Sequence, residues 1–168
     1  MLRNTLQAIS ITLCMTVPAW AGDMVTPTGE VMLSVSGNLN QTNADGAALL
    51  DLEMLQALDQ TIIETSTIWT EGKQTFEGVS LAVLVEALGI TGGTLRATAI
   101  NDYTVEVPLT DAVEGGPIVA YRLNGETMSV RDKGPLWLVY PYDDNSDYRT
   151  EVVYSRSIWQ LDRIEAVD

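Results

Sequence analysis

The chain has 168 residues, of which 46% are hydrophobic and 19% are charged. This composition is typical of one globular domain and excludes a mainly disordered chain, because the apolar fraction can fill a core. With no histidine and one cysteine, the chain cannot form a histidine-based catalytic triad, a histidine zinc site, an internal disulfide or an iron–sulfur cluster. The net charge of −14 disfavours nucleic acid and anionic lipid as partners, and favours small neutral ligands or a basic protein surface.

The N-terminus has the pattern of a secretory signal peptide, predicted to cover residues 1–21. Arg3 gives a positive start, residues 6–17 are mostly apolar, and Ala19-Trp20-Ala21 is an A-x-A cleavage site. An uncleaved anchor helix is the alternative, but polar residues within the apolar run and Pro18 at its end disfavour it. We therefore expect export to a bacterial periplasm, without membrane insertion after cleavage.

The next part of the chain is predicted to alternate strands and helices. In chain order we expect a strand at 31–36, a loop at 37–46, a short helix capped by Asp51, a strand at 61–69, and a helix between Ser80 and Gly89. The last helix has the clearest pattern, because Leu81, Leu84, Val85 and Leu88 have helical spacing.

The C-terminal half is predicted to be rich in strands. They are expected at 95–100, 105–108, 118–123, 126–130, 136–140 and 158–167, with an acidic loop at 143–147. Asn124-Gly125 is a strong hairpin signal between two of them. This order of elements predicts one α+β domain at residues 22–168, with a mixed or antiparallel, β-rich sheet and a few short helices.

Four segments occur in an order that matches a known family. They are FEGVSLAVLVEALG from Phe76, NDYTVEVPL from Asn101, YRLNGETMSVRDKGPLWLVYP from Tyr121 and SRSIWQLDRIEAV from Ser155. This ordered set resembles the molybdopterin-binding domain of the sulfite oxidase family, although no single motif in it is specific. The resemblance covers about residues 31–167 and implies the fold of that family and a pterin-type ligand.

The sequence departs from this family at two positions. The resemblance implies a metal-ligating cysteine at about Thr65 or Ser66, where this chain has only neutral hydroxyls, which are poor substitutes for a thiolate. It also implies a lysine near the cofactor phosphate where this chain has Trp159. Both departures favour a simpler, uncharged pterin over a metallated and phosphorylated one.

The candidate ligand-binding residues supply flat faces, hydroxyls, an amide and two cations. They are Thr65, Thr67, Trp69, Asn101, Tyr103, Arg131, Lys133, Tyr154, Ser157 and Trp159. A planar pterin needs a stacking surface and in-plane hydrogen bonds, and we expect Trp69 and Trp159 to be walls of the site. The alternatives are core packing for the aromatic residues, which we favour for Trp137, an exposed strand face for the threonines, and neutralisation of nearby acids for the cations. No catalytic or metal-ligating residue is predicted.

Within the family, the resemblance narrows to small exported proteins that bind reduced pterins and signal to a membrane partner, such as a cyclic-di-GMP enzyme or a sensor kinase. It implies a periplasmic, non-catalytic pterin-binding protein with no tightly bound cofactor. Two alternatives stay open: a molybdopterin-dependent oxidoreductase subunit of the sulfite oxidase family, and an interaction domain that has lost its ligand.

Overall fold

The computed structural model describes residues 24–168, so the predicted signal peptide lies outside the described residues. This part of the chain contains ten strands and three α-helices. They are β1 (Val31–Gly37), β2 (Ala47–Asp51), α1 (Leu52–Ala57), β3 (Gln60–Ser66), β4 (Lys73–Ser80), α2 (Leu81–Leu88), β5 (Thr94–Ala99), β6 (Thr104–Pro108), β7 (Ile118–Leu123), β8 (Glu126–Thr127), β9 (Leu136–Val139), α3 (Glu151–Arg156) and β10 (Trp159–Val167). None of the helices described is long and apolar enough to cross a membrane.

All ten strands belong to one sheet, whose main path runs in the order β2-β1-β10-β9-β7-β4-β3. Strand β5 pairs with β10 and β6, while β8 pairs with β7. The β1–β10 pair is parallel and the other pairs are antiparallel. The prediction of an α+β fold with a mixed, β-rich sheet and a few short helices is therefore confirmed.

The two predicted helices begin after the expected residues, Asp51 and Ser80, but only Asp51 caps its helix with its side chain. Asp51 accepts a hydrogen bond from the Met54 N–H at 2.9 Å and thereby begins α1. Ser80 precedes α2, although its side chain makes no capping bond. Gly89 ends α2 in the left-handed conformation with φ of 64°, which glycine adopts without strain. The side chains of Leu84 and Leu88, on the inner face of α2, are buried in the core.

Several elements differ from the prediction. Strands β2 and β4 and helix α3 were not predicted, β3 ends at Ser66 rather than at residue 69, and β8 has only two residues. Strand β4 lies between β3 and β7 in the sheet. It was difficult to predict because its sequence contains Gly78, and glycine inside a strand weakens the strand pattern. A Cβ atom on Gly78 would lie 2.2 Å from the carbonyl oxygen of Val119, so tertiary packing requires glycine here.

Candidate functional site

A cleft of about 450 Å³ lies where the turn between β5 and β6 meets the end of α3 and the start of β10. We call it the aromatic cleft. Its lining residues are Trp69, Ala99, Asn101, Tyr103, Tyr154, Ser155, Ser157, Trp159 and Gln160. Every one of these side chains is uncharged, and four of them are aromatic. The structure therefore brings together six of the ten predicted site residues.

Trp69 lines the cleft and contacts four other aromatic rings, those of Trp137, Tyr142, Tyr154 and Trp159. Its ring meets Trp159 at 5.5 Å and an interplanar angle of 73°, and it meets Tyr154 at 5.8 Å and 84°. Two rings that sandwich a flat ligand need centroids about 7 Å apart, which is two van der Waals contact distances. Trp69 and Trp159 are therefore adjacent walls in contact with each other. A flat ligand would therefore contact one of them from the cleft side, such as Trp159, which is 37% exposed.

Trp137 is fully buried and belongs to the core, as the sequence predicted. Its indole N–H donates a hydrogen bond to the Ser157 carbonyl oxygen at 3.2 Å. The Ser157 hydroxyl donates to the Val153 carbonyl oxygen at 2.9 Å and also bonds the hydroxyl of Tyr142. Because the single hydroxyl proton of Ser157 is donated to Val153, the Tyr142 hydroxyl is the donor to Ser157. Burial raises the pKa of Tyr142 to about 12.

The turn between β5 and β6 also lines the cleft, through Asn101 and Tyr103. The Asn101 carboxamide oxygen accepts a hydrogen bond from the Tyr103 N–H at 3.3 Å, which is the local bonding expected of an Asx residue in a turn. Asp102 between them has φ of 65°. The turn thus holds Tyr103, which is 57% exposed, at the cleft.

Four predicted residues do not line the cleft. The Thr65 hydroxyl is fully buried and accepts a hydrogen bond from the Asp143 N–H at 3.0 Å. The Thr67 hydroxyl accepts from the Trp69 N–H at 3.1 Å, so it orders the turn that carries Trp69. Arg131 is exposed on a 3₁₀ turn. The Lys133 ammonium lies 5.7 Å from the ring centroids of both Trp137 and Trp159, within the range of a cation–π interaction.

Gln160 lines the cleft but was not predicted from the sequence. It follows Trp159, but no spacing or motif distinguishes it from other polar residues on a strand. Its backbone has φ of 53°, a left-handed value that is uncommon outside glycine. The pairing of β10 with β9 shifts register at this position, and such irregularities redirect side chains near functional sites.

The described residues do not fit a thiolate-ligated molybdenum centre. At the end of β3, where the family resemblance places the metal ligand, Ser66 donates two hydrogen bonds to Asp143, from its N–H at 2.9 Å and from its hydroxyl at 2.6 Å. The Thr65 hydroxyl is bonded to the same residue. Residues 24–168 contain no cysteine or histidine and no group of acidic residues that could hold a metal ion. The only cysteine, Cys14, lies outside the described residues.

The sequence matches the family "Oxidoreductase molybdopterin binding domain" over residues 52–143, and the chain belongs to this family. The family resemblance inferred from the sequence is thereby confirmed, and membership supports a pterin or molybdopterin as the class of ligand. The crystal structure of the sulfane dehydrogenase SoxCD from Paracoccus pantotrophus has a similar fold, with a TM-score of 0.62 and 17% sequence identity. The match covers 88% of this chain but only 41% of that one. No match is found among curated proteins.

Proposed function

We propose that this protein is a periplasmic, non-catalytic receptor for a reduced pterin, and that a membrane signalling protein reads whether the receptor is occupied. The partner class that we propose is the exported domain of a cyclic-di-GMP enzyme or of a sensor kinase. The observation that carries the proposal is the aromatic cleft, in which every lining side chain is uncharged.

The chemistry of the cleft favours a neutral, flat ligand. Its volume of about 450 Å³ is in the range of small-molecule sites. Aromatic faces bind a planar ring by stacking, and the amide and hydroxyl groups of Asn101, Ser155 and Gln160 can bond the polar edge of a pterin. No lining residue is a cation that would compensate a phosphate for its lost hydration, and the nearby Lys133 ammonium lies over the rings of Trp137 and Trp159. The ligand class therefore follows from stacking and neutral hydrogen bonds.

Family membership favours a second candidate, a molybdopterin-dependent oxidoreductase subunit. In that case the metal would need oxygen ligation or a ligand from a partner subunit, because residues 24–168 contain no thiol. Elemental analysis of protein purified from its native host separates the two candidates. Stoichiometric molybdenum in that preparation would overturn the non-catalytic assignment.

The pterin proposal is tested by calorimetric titration of the purified protein with tetrahydroneopterin. We expect saturable binding to the wild-type protein and a loss of affinity of about tenfold in Trp159→Ala, because a stacking face is removed. Ile62→Ala, which changes an exposed residue on β3 away from the cleft, is the matched control and should bind like the wild type. Absence of binding, or unchanged binding in Trp159→Ala, would contradict the proposal.

A further inference from the structure

A second cavity, of about 620 Å³, lies between the start of β1, the start of α1, the turn after β5 and the segment that follows β8. We call it the apolar groove. Val31, Ile100 and Val130 line it, and each of them is between 42% and 51% exposed. Met32 and Met128 complete its apolar surface. Methionine side chains adapt to different partners, so this surface suits the side chains of another protein.

The groove also borders a strand edge without a partner. Strand β1 pairs with β10 only from Ser34 onward, whereas Val31 and Leu33 pair with β2 on the other side. Within residues 24–168, Val31 and Met32 thus have no strand beside them on the side that faces away from β2, whereas Leu33 is fully buried. Such an edge offers backbone N–H and C=O groups to an added extended segment.

The rim of the groove is negatively charged. Glu30 and Glu53 line it, and neither of them forms an ion pair with the described residues. The third acid, Asp51, is already bonded to the N–H groups of Thr28, Gly29 and Met54. No lysine or arginine lines the groove. The two glutamates are therefore available to a cationic partner, in a chain whose net charge is −14.

We propose that the apolar groove binds an extended segment of a partner protein, in which apolar side chains alternate with lysine or arginine. The apolar side chains fill the groove between Val31, Ile100 and Val130, the basic ones meet Glu30 and Glu53, and the backbone adds to the free edge of β1. The proposal goes beyond pterin binding and stands or fails separately from it, because none of the groove residues lines the aromatic cleft.

The test is a selection of phage-displayed random dodecapeptides on the purified protein without added pterin. We expect enriched peptides that alternate apolar and basic residues.

A labelled synthetic peptide of the enriched sequence is then titrated by fluorescence polarisation. Val130→Asp should weaken its binding by at least about tenfold, since it places a charge in the apolar contact. Glu30→Lys should weaken binding and also reduce its dependence on salt.

Two control variants carry the same changes elsewhere on the surface. Ile62→Asp on β3 and Glu114→Lys in the loop before β7 are both exposed and should leave peptide binding unchanged. The proposal is overturned if no peptide is enriched, if the enriched peptides are acidic, or if binding survives Val130→Asp but not Ile62→Asp. It is also overturned if sedimentation shows a dimer of this chain that Val130→Asp dissociates, because the groove is then the contact between two copies.

Discussion

Ser157 connects the aromatic cleft to the core through three hydrogen bonds. Its hydroxyl bonds Tyr142 and the Val153 carbonyl, and its own carbonyl accepts from the indole of Trp137. Both Ser157 and Tyr142 are only 2% exposed, so neither hydroxyl has access to water as a substitute partner. Ser157 therefore fixes the end of α3, two residues before the cleft wall formed by Trp159.

The hydroxyls of Ser157 and Tyr142 should contribute to stability as a coupled pair. We expect Ser157→Ala to lower the free energy of unfolding by about 1–3 kcal/mol, because the Tyr142 hydroxyl then stays buried without a partner. The double variant Ser157→Ala, Tyr142→Phe should be less destabilised than the sum of the two single variants. Urea unfolding measures all of these values. Ser155→Ala, which changes a neighbouring exposed serine, is the control. Additive losses in the double variant would show that the two hydroxyls are not coupled.

The sequence could predict the aromatic residues of the cleft but not how they are arranged. Trp69, Tyr103 and Trp159 flank turns or strand ends, where side chains converge, and this position can be inferred from local patterns. The edge-on contact between Trp69 and Trp159 depends on the register of β9 and β10, which pairs Trp137 with Trp159. Thr65 was predicted to face the ligand, and its inward orientation could not be known before the strand register.

At the scale of elements, a hydrogen-bonded clamp joins the end of β3 to the loop after β9. Asp143 donates its N–H to Thr65 and accepts from both the N–H and the hydroxyl of Ser66. Lys73 at the start of β4 lies 3.8 Å from the same carboxylate. The clamp connects segments more than 70 residues apart and lies beside the turn that carries Trp69. It therefore holds in place the loop that supplies one wall of the cleft.

The clamp should make stability depend on pH. Hydrogen bonds from Ser66, together with Lys73, hold the pKa of Asp143 below its usual range. A group with a lowered folded pKa stabilises the protein fully above its unfolded pKa of about 3.9, and this contribution is lost as the pH falls through the folded pKa. We expect the free energy of unfolding to fall below about pH 4, and to fall less steeply in Asp143→Asn.

Two comparisons make this pH experiment specific to the clamp. The pKa of Asp51 is also lowered, by the N–H groups of Gly29 and Met54, so Asp143→Asn should reduce the pH dependence without abolishing it. Asp147→Asn, on the same loop but exposed, is the matched control and should keep the wild-type slope. Urea unfolding at a series of pH values provides the measurement. An equal slope in Asp143→Asn and the wild type would rule out the clamp as its source.

Helix α3 was not predicted because its local sequence pattern is weak and its end depends on a long-range contact. Helix α3 is only six residues long, and the sequence pattern of so short a segment is weak. Its start at Thr150, which accepts from the Val153 N–H at 3.3 Å, was an available signal. Its end is fixed by Arg156, which pairs with Asp111 at 3.0 Å, a contact between distant residues that no local pattern contains.

At the scale of the whole molecule, Gln160 lies between the aromatic cleft and the apolar groove. Its side chain lines the cleft and donates a hydrogen bond to the Val130 carbonyl in the groove at 2.8 Å. Its backbone carbonyl accepts from the Ile100 N–H, and its N–H donates to Lys133, both at 2.9 Å. One residue thus bonds two segments of the groove while facing the cleft, which is a direct physical route for coupling the two sites.

If a pterin in the cleft alters the bonds of Gln160, it should change the affinity of the groove for its peptide. Coupling between two sites is typically about fivefold or more, and it is reciprocal. We expect Gln160→Met, which keeps the size of the side chain but removes the donor to Val130, to bring the ratio of peptide affinities with and without tetrahydroneopterin close to one. Gln60→Met, on the exposed edge of β3, should keep the wild-type ratio. A ratio unchanged by Gln160→Met would mean that any signal between cleft and groove travels by another route, since the bond to Val130 is the only hydrogen bond that the Gln160 side chain makes within residues 24–168.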